Sequence, residues 1–464
     1  MENQPEIKRS LILAGGGVRL AYHAGVLKAL EEEGLSFNHI DGTSGGIFCT
    51  AMMASGISPK EAALRWRNLN LKGFMGALPI KNYLSRHNLA AMGSSQGIRK
   101  KIFPALGIRI EKINANTGFD STFNVCNFSN KTIEAIPHTS VTEDHLIAGM
   151  SLPIFMPAVK INNDWYTDAV WIKDANLTEA INRGAEDIWL IWCIGNNREY
   201  LNGSLNQYVH MIEMSASGGL FTEIELLQRT NLQRMDDGLK PISLHIIKPE
   251  YPLPFDPDFL LNRVNADTLI NMGYADARYF LLNKLPFDMN LPPSHSTAMK
   301  EPGISVHFRQ HFNGVILLNE RSLETCIRLS FFLREINKRV IIQLYSSISF
   351  DNENFISGYQ NQMIIRETGL IQPEFIFIFK KQEYHIRLEI QLSNLTDFLM
   401  GLNFKKAKVY FTANGNESKP YLFFQSALSR ITNAFYLYTK SESGWLKKRR
   451  AKLRILKTLF ETHS

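Results

Sequence analysis

The sequence predicts a layered α/β domain followed by a smaller α+β domain. Helix and strand signals alternate from Ser10 to about Leu282, which implies helices packed on a central, mainly parallel sheet. The run Ile188–Ile194, Ile-Trp-Leu-Ile-Trp-Cys-Ile, is continuously apolar, as a strand buried on both faces must be. After the proline-rich stretch Lys284–Gly303 the texture changes to many strand-like runs. With 464 residues, 45% of them hydrophobic and 20% charged, the chain is long enough for two or three cores and has a globular composition.

The elements follow in order. Ser10–Ala14 reads as a short buried strand entering the glycine turn Gly15-Gly16-Gly17. Ala21–Glu33 reads as a helix stopped by Gly34. Ile40-Asp41-Gly42 leads into a second glycine turn, and Ile47–Ser55 continues as an apolar helix. Ser58-Pro59-Lys60-Glu61 is a capping box with proline at the first helical position. Phe123–Ile136 alternates and reads as a strand pair. Thr142 caps a helix that ends before Pro153. Asp187–Ile194 and Leu244–Ile247 read as strands. These segments set a first domain at 8–285, a linker at 286–303 and an accessory domain at 304–464. In the last, Val306–Phe308, Val315–Leu318, Val340–Tyr345, Phe375–Phe379, His385–Gln391 and Val409–Thr412 read as strands. Leu323–Asn337 and Tyr421–Tyr438 read as helices.

Charge divides the chain unevenly. From Pro293 onward there are 24 Lys+Arg against 14 Asp+Glu, or +10, while the rest carries 27 against 30, or −3. Seven positive charges fall within Lys447–Lys457. The stretch Trp445–Phe460 reads either as a basic amphipathic helix for an anionic membrane surface or as a packing helix with a basic outer face. No nucleic-acid motif accompanies the charge. Four scattered cysteines form no CxxC or CxxH pair, which argues against a disulfide framework and a zinc site. The polar N-terminus precedes no signal-like apolar region, so the expected location is the cytoplasm, with peripheral contact at the inner membrane face.

The two glycine turns carry the chemistry. Gly42-Thr43-Ser44-Gly45-Gly46 fits Gly-x-Ser-x-Gly, the strand-to-helix turn that lifts a serine hydroxyl clear of its sheet. Alone the motif is weak; its strand–turn–helix setting adds weight. The Gly45 N–H lies at the new helix's N-terminus, where free donors and the dipole favour developing negative charge. Gly15-Gly16-Gly17 fails both nucleotide patterns. Leu20 stands where a dinucleotide fingerprint needs glycine, and no Gly-Lys-Ser/Thr follows. What remains is a row of N–H groups able to hold an oxyanion. The residues offer no histidine in an evident strand-end motif to act as base, and Asp168 alone reads as a surface aspartate.

Gly15-Gly16-Gly17-Val18-Arg19, then Ala21-Tyr22-His23-Ala24-Gly25-Val26-Leu27, then the serine turn, together resemble the patatin-like phospholipase family. The resemblance continues through Ser151–Val159, the Asp168 turn, Asn176–Ile194 and Met272–Ala277, covering about residues 8–285. It implies a Ser-Asp dyad without histidine, carried by Ser44 and Asp168. It also implies an oxyanion loop at Gly15, Gly16 and Gly17, and an Arg19 that braces this loop or meets an anionic head group. One departure stands out. The family's acid usually sits in Asp-Gly-Gly or Asp-Gly-Ala, and here the turn is Asp168-Ala169-Val170. A positive φ at Ala169 would cost about 1 kcal/mol. The implied activity is a serine lipid acyl hydrolase of phospholipase A or lysophospholipase type, acting on phospholipid or lysophospholipid without cofactor or metal. Acyl transfer to an alcohol, and a weakly active regulatory protein, are the alternatives.

Overall fold

The computed structural model describes residues 7–69, 91, 93–195, 200, 202–253, 265–283, 291–301, 303–318, 320–366, 369–392, 404–425, 438–440 and 445–457. The chain divides into two compact units, residues 1–300 and 301–464. The first unit runs β1 (Arg9–Leu13), α1 (Ala21–Glu32), β2 (His39–Thr43), α2 (Gly46–Ala54), α3 (Pro59–Asn68), β3 (Asp120–Asn127), β4 (Thr132–Pro137) and α4 (Glu143–Gly149). It continues with β5 (Val159–Ile161), β6 (Asp164–Asp168), α5 (Leu177–Asn182), β7 (Asp187–Ile191), α6 (Ser204–Asp236), β8 (Ser243–Ile247) and α7 (Ala266–Asn283). The sheet order is β5-β6-β3-β2-β1-β7-β8, with β4 also on β3. Pairs β1–β2, β2–β3, β1–β7 and β7–β8 are parallel, while β3–β4, β3–β6 and β5–β6 are antiparallel. The sheet is therefore mixed and mostly parallel, with Leu11, Ile12, Leu13, Ile188, Leu190 and Ile191 buried at its centre.

Two features of this sheet position the site. From β1 the order steps through β2 and β3 on one side and through β7 and β8 on the other. Such a reversal opens a crevice at the C-terminal strand ends, and Gly15 and Gly16 lie there. The second feature is register. β2 pairs with β3 from His39↔Asp120 to Thr43↔Asn124. β4 occupies the other edge of β3 from Thr122 to Asn127. β6 must therefore share the β2 edge, where Val125↔Asp168 is the next rung after Asn124↔Thr43. The sheet itself brings Asp168 beside the end of β2.

The expected caps are present. Ser58 accepts the Glu61 N–H with Pro59 at the first helical position, and Thr142 forms a capping box with His145. The stretch read as a linker differs in its described part, 291–301. Pro293–Ser296 is a short helix, Met299 packs into the first unit's core, and the Lys300 N–H bonds the Glu250 carbonyl. Apolar contact and a paired backbone make these residues, up to Lys300, part of the first unit.

The second unit corrects the α+β expectation. Its strands are β9 (Ile304–Leu318), β10 (Arg321–Ile336), β11 (Arg339–Phe350), β12 (Ile356–Ser357), β13 (Tyr359–Ile365) and β14 (Leu370–Phe379). They continue with β15 (Gln382–Gln391), β16 (Lys406–Ala413), β17 (Asn416–Glu417), β18 (Tyr421–Phe424) and β19 (Tyr438–Lys440), then helix α8 (Trp445–Lys457). All pairings among the described residues of this unit are antiparallel, in the order β12-β11-β10-β9-β18-β16-β15-β14-β13. The path ends on two strands separated only by Gly358, whose N–H bonds Ser346 of β11 at 2.9 Å. The Ser346 hydroxyl also donates to Asn361 of β13. The sheet thus forms a nearly closed barrel filled by Phe308, Phe312, Phe331, Phe375 and Phe377.

Leu323–Asn337, expected as a helix, is strand β10. Its apolar residues satisfy both helical and alternating spacing, and the barrel buries the alternating set Ile327, Leu329, Phe331 and Leu333. Tyr421–Phe424 is a strand rather than a helix start, and 426–437 lie outside the described residues. The basic helix α8 is a packing element. Ile455 and Leu456 are fully buried in the barrel core, and Arg454 pairs with Glu335 of β10 at 2.7 Å. Ile455 and Leu456 thus serve the core, while Leu446 and Phe460 of the expected apolar face have no described side chains. Among the described residues no helix is long and apolar enough to cross a membrane.

Candidate active site

Ser44 sits between β2 and α2 with φ +49°, a left-handed conformation that costs a non-glycine residue about 1–2 kcal/mol. The turn is tight because α2 begins against β1. A Cβ on Gly46 would stand 1.9 Å from the Leu13 carbonyl oxygen, so only glycine fits. The strain leaves the Ser44 side chain half-buried at the strand end rather than inside the core.

Asp168 meets it from the next rung. Ser44 Oγ donates to Asp168 Oδ2 at 2.6 Å, and the Val170 N–H donates to Oδ1 at 2.9 Å. Asp168 is 1% exposed. Burial pushes its carboxyl up to about 7, opposed by the bonds from Ser44 and Val170. A base with this value is half ionised at neutral pH and well matched to a proton in transit. The Ser151 carbonyl anchors the acid strand by accepting from the Asp168 N–H at 3.1 Å and from Thr167 Oγ1 at 2.6 Å.

The unusual turn is unstrained. Asp168 has φ −56°, Ala169–Trp171 is a 3-10 turn, and Ala169 is absent from the positive-φ residues. Ala169 is fully buried there.

A chain of buried polar groups supports both partners. Asp41 accepts from Thr122 Oγ1 at 2.6 Å and from Asn124 Nδ2 at 2.5 Å. Asn124 also donates to Thr43 Oγ1 and accepts from Asn176 at 2.9 Å each. The strand bearing Ser44 is thereby tied to the segment that follows Asp168.

The glycine loop lies alongside. Gly15 was expected to offer its N–H to an oxyanion. Instead it donates to both oxygens of Asp174, each at 3.0 Å. Gly16 and Gly17 have no N–H acceptor among the described residues, and Gly17, with φ +61°, is exposed. Arg19 lies within the protein and grips this loop: its Nε and its backbone N–H reach the Gly16 carbonyl at 2.8 and 3.2 Å. Because a trans peptide points its carbonyl and the following N–H in opposite directions, this grip turns the Gly17 N–H away from Arg19. Gly45 caps α2, and its N–H is free among the described residues.

Sequence reasoning missed three neighbours. Asp174 bonds the loop as described. Tyr208 donates to the Pro153 carbonyl, and burial together with the Asp168 charge pushes its phenol up to about 12. Its ring meets Phe155 and Trp171 edge-on at 5.5 and 5.9 Å, forming an aromatic wall near the acid. Ile154, in the same loop as Phe155, has φ +74° and is 57% exposed. A β-branched residue in that region is an outlier of the kind found at functional sites.

The patatin-like phospholipase family model matches residues 11–181. These residues are a patatin-like phospholipase domain. The matched segment begins in β1 and ends in α5, taking in both glycine turns and Asp168. The resemblance read to about residue 285 extends beyond it, and no family model matches the second unit. Lysophospholipase NTE1 of Kluyveromyces lactis is 27% identical over 192 residues, covering 39% of this chain and 12% of that protein. Lysophospholipase NTE1 of Saccharomyces cerevisiae is 26% identical over 195 residues, covering 39% and 10%. The match thus spans about an eighth or less of these curated relatives. Among solved structures, VipD from Legionella pneumophila aligns over 60% of this chain and 67% of its own, at 12% identity and a TM-score of 0.34. The type III effector ExoU aligns over 50% and 59%, at 13% identity and a TM-score of 0.22.

Proposed function

We propose that the patatin-like domain is a serine lipid acyl hydrolase of phospholipase A or lysophospholipase type. The observation that carries this reading is the 2.6 Å bond from the Ser44 hydroxyl to the buried Asp168 carboxyl. In the proposed cycle, ionised Asp168 takes the Ser44 proton as Oγ attacks the ester carbonyl carbon of a lipid. The carbonyl π electrons move to oxygen, and the N–H groups of Gly16, Gly17 and Gly45 stabilise that oxyanion. The tetrahedral adduct collapses, the alkoxide leaves with the proton from Asp168, and an acyl-Ser44 ester remains. Water then gives a proton to Asp168 and its hydroxide equivalent to the acyl carbon; the adduct collapses, fatty acid leaves, and Asp168 returns the proton to Ser44 Oγ, restoring the ionised acid and the serine hydroxyl.

Purified protein is expected to release fatty acid from lysophospholipid and p-nitrophenol from its acyl esters, and Ser44→Ala to abolish both. Release that persists in that variant sinks the proposal. Fluorophosphonate labelling of the wild type, absent in Ser44→Ala, checks the nucleophile separately.

A further inference from the structure

Asp174 is a buried acid that the dyad does not use. It is 0% exposed, follows Asp168 by six residues, and accepts the Gly15 N–H on both oxygens at 3.0 Å. A Cβ on Gly15 would stand 2.3 Å from Asp174 Oδ1 and 3.0 Å from Ser44 Cβ. One peptide is therefore wedged between Asp174 and the serine. Arg19 holds the next carbonyl, that of Gly16, at 2.8 Å. The glycine loop is pinned at two successive points, and planar peptides fix the direction of the N–H groups that follow.

We propose that Asp174 is a positioning residue that latches the Gly15 N–H, so that the Gly16 and Gly17 N–H groups face the acyl oxygen bound at Ser44. This rests on Ser44 being the acylated nucleophile. The surroundings of the latch disfavour its charge. Burial and the neighbouring Asp168 charge hold the Asp174 carboxyl well above the usual range, against the pull of the Gly15 N–H and Arg19, and the Cys193 thiol beside it is likewise pushed well up by burial. An ionised carboxylate this close would oppose the developing oxyanion, whereas a neutral one accepts the N–H without that penalty.

Three variants test it by steady-state hydrolysis of a p-nitrophenyl ester, with thermal melts to score folding. Asp174→Ala is expected to lower kcat about 10²–10³-fold, the range for losing an oxyanion donor, with KM changed by less than about threefold. Asp174→Asn, which keeps an uncharged acceptor of similar size, is expected to stay within about tenfold of wild type. Gly15→Ala, whose methyl wedges the same contact, is expected to lose kcat as Asp174→Ala does, and carries the test if the latter fails to fold. The latch is overturned if Asp174→Ala or a folded Gly15→Ala keeps wild-type kcat, or if Asp174→Asn falls as far as Asp174→Ala. A wild type with no Ser44-dependent turnover sinks the hydrolase reading and the latch together. An active wild type, dead in Ser44→Ala but unaffected in Asp174→Ala, sinks the latch alone.

Discussion

Asp168 sets two opposite demands on one carboxyl. As a base it must be ionised, so kcat/KM is expected to rise with pH, about tenfold per unit below 7, and to level off above the value near 7. A pH–rate profile measures this directly. Folding makes the reverse demand. The native carboxyl is pushed up to about 7 and the unfolded one keeps its ordinary value of 3.8, so the native state holds its proton more tightly. This contribution to stability is complete below the unfolded value and is lost as pH rises toward 7. Asp168→Asn is therefore expected to reduce turnover by about 10²–10⁴ while raising the thermal midpoint at pH 8 more than at pH 4. Ser44 was legible because its motif is local: five consecutive residues specify the turn. Asp168 was legible only through resemblance, since nothing in its own neighbours separates it from a surface aspartate. Asp174 was not legible at all. Its partner lies at the other end of the domain, and only folding brings them together.

At the scale of elements, α1 and α7 show how closely the helix after the glycine loop is held. A Cβ on Gly25 would stand 2.0 Å from the Ile270 carbonyl oxygen, and one on Gly273 would stand 2.1 Å from that of Tyr22. The two backbones meet glycine to backbone in both directions. Gly273→Ala must push the helices apart, and is expected to cost about 1–3 kcal/mol in urea unfolding. Turnover should fall with it, because α1 carries the loop's C-terminal end. Helix α8 gives a matching test in the second unit. Leu456→Ala is expected to cost about 2–5 kcal/mol, as for other fully buried leucines. Its sequence suited a bilayer and a protein core equally, because both ask for one apolar stripe. The partner decides between them, and here it is the barrel. The same ambiguity hid β10, whose apolar residues satisfy two periods at once.

For the whole molecule, buried titratable groups act together. Asp41, Asp168 and Asp276 are each pushed up to about 7 by burial, and Asp174 is held well above its ordinary range. Buried His23 and His39 are pushed down to about 3, which costs stability as pH falls below their ordinary 6.5. The carboxyls cost stability as pH rises toward and past 7. Above 6.5 the histidine effect is gone and the carboxyls act until buried Lys28, pushed down to about 8, begins to oppose them, so the thermal midpoint is expected to fall between about pH 6.5 and 7.5, just where the base becomes active. Differential scanning across that range measures it. The alternation of local elements made the first unit readable in outline. The barrel was not, because its strands gain their meaning from partners far along the chain, and no stretch of sequence alone announces a closure such as Gly358.

The register of β3 has a further consequence. Thr43, which leads directly into the nucleophile, and the acid pair with consecutive residues of one shared strand, so the separation of the dyad is set by the ladder's spacing and not by the length of chain between them. The segment from Phe128 to Asn163 can therefore gain or lose residues at its turns while the dyad keeps its distance. A single residue inserted within β6 cannot be absorbed in this way. It turns the acid to the opposite face of the sheet and separates the pair, leaving the serine turn itself untouched.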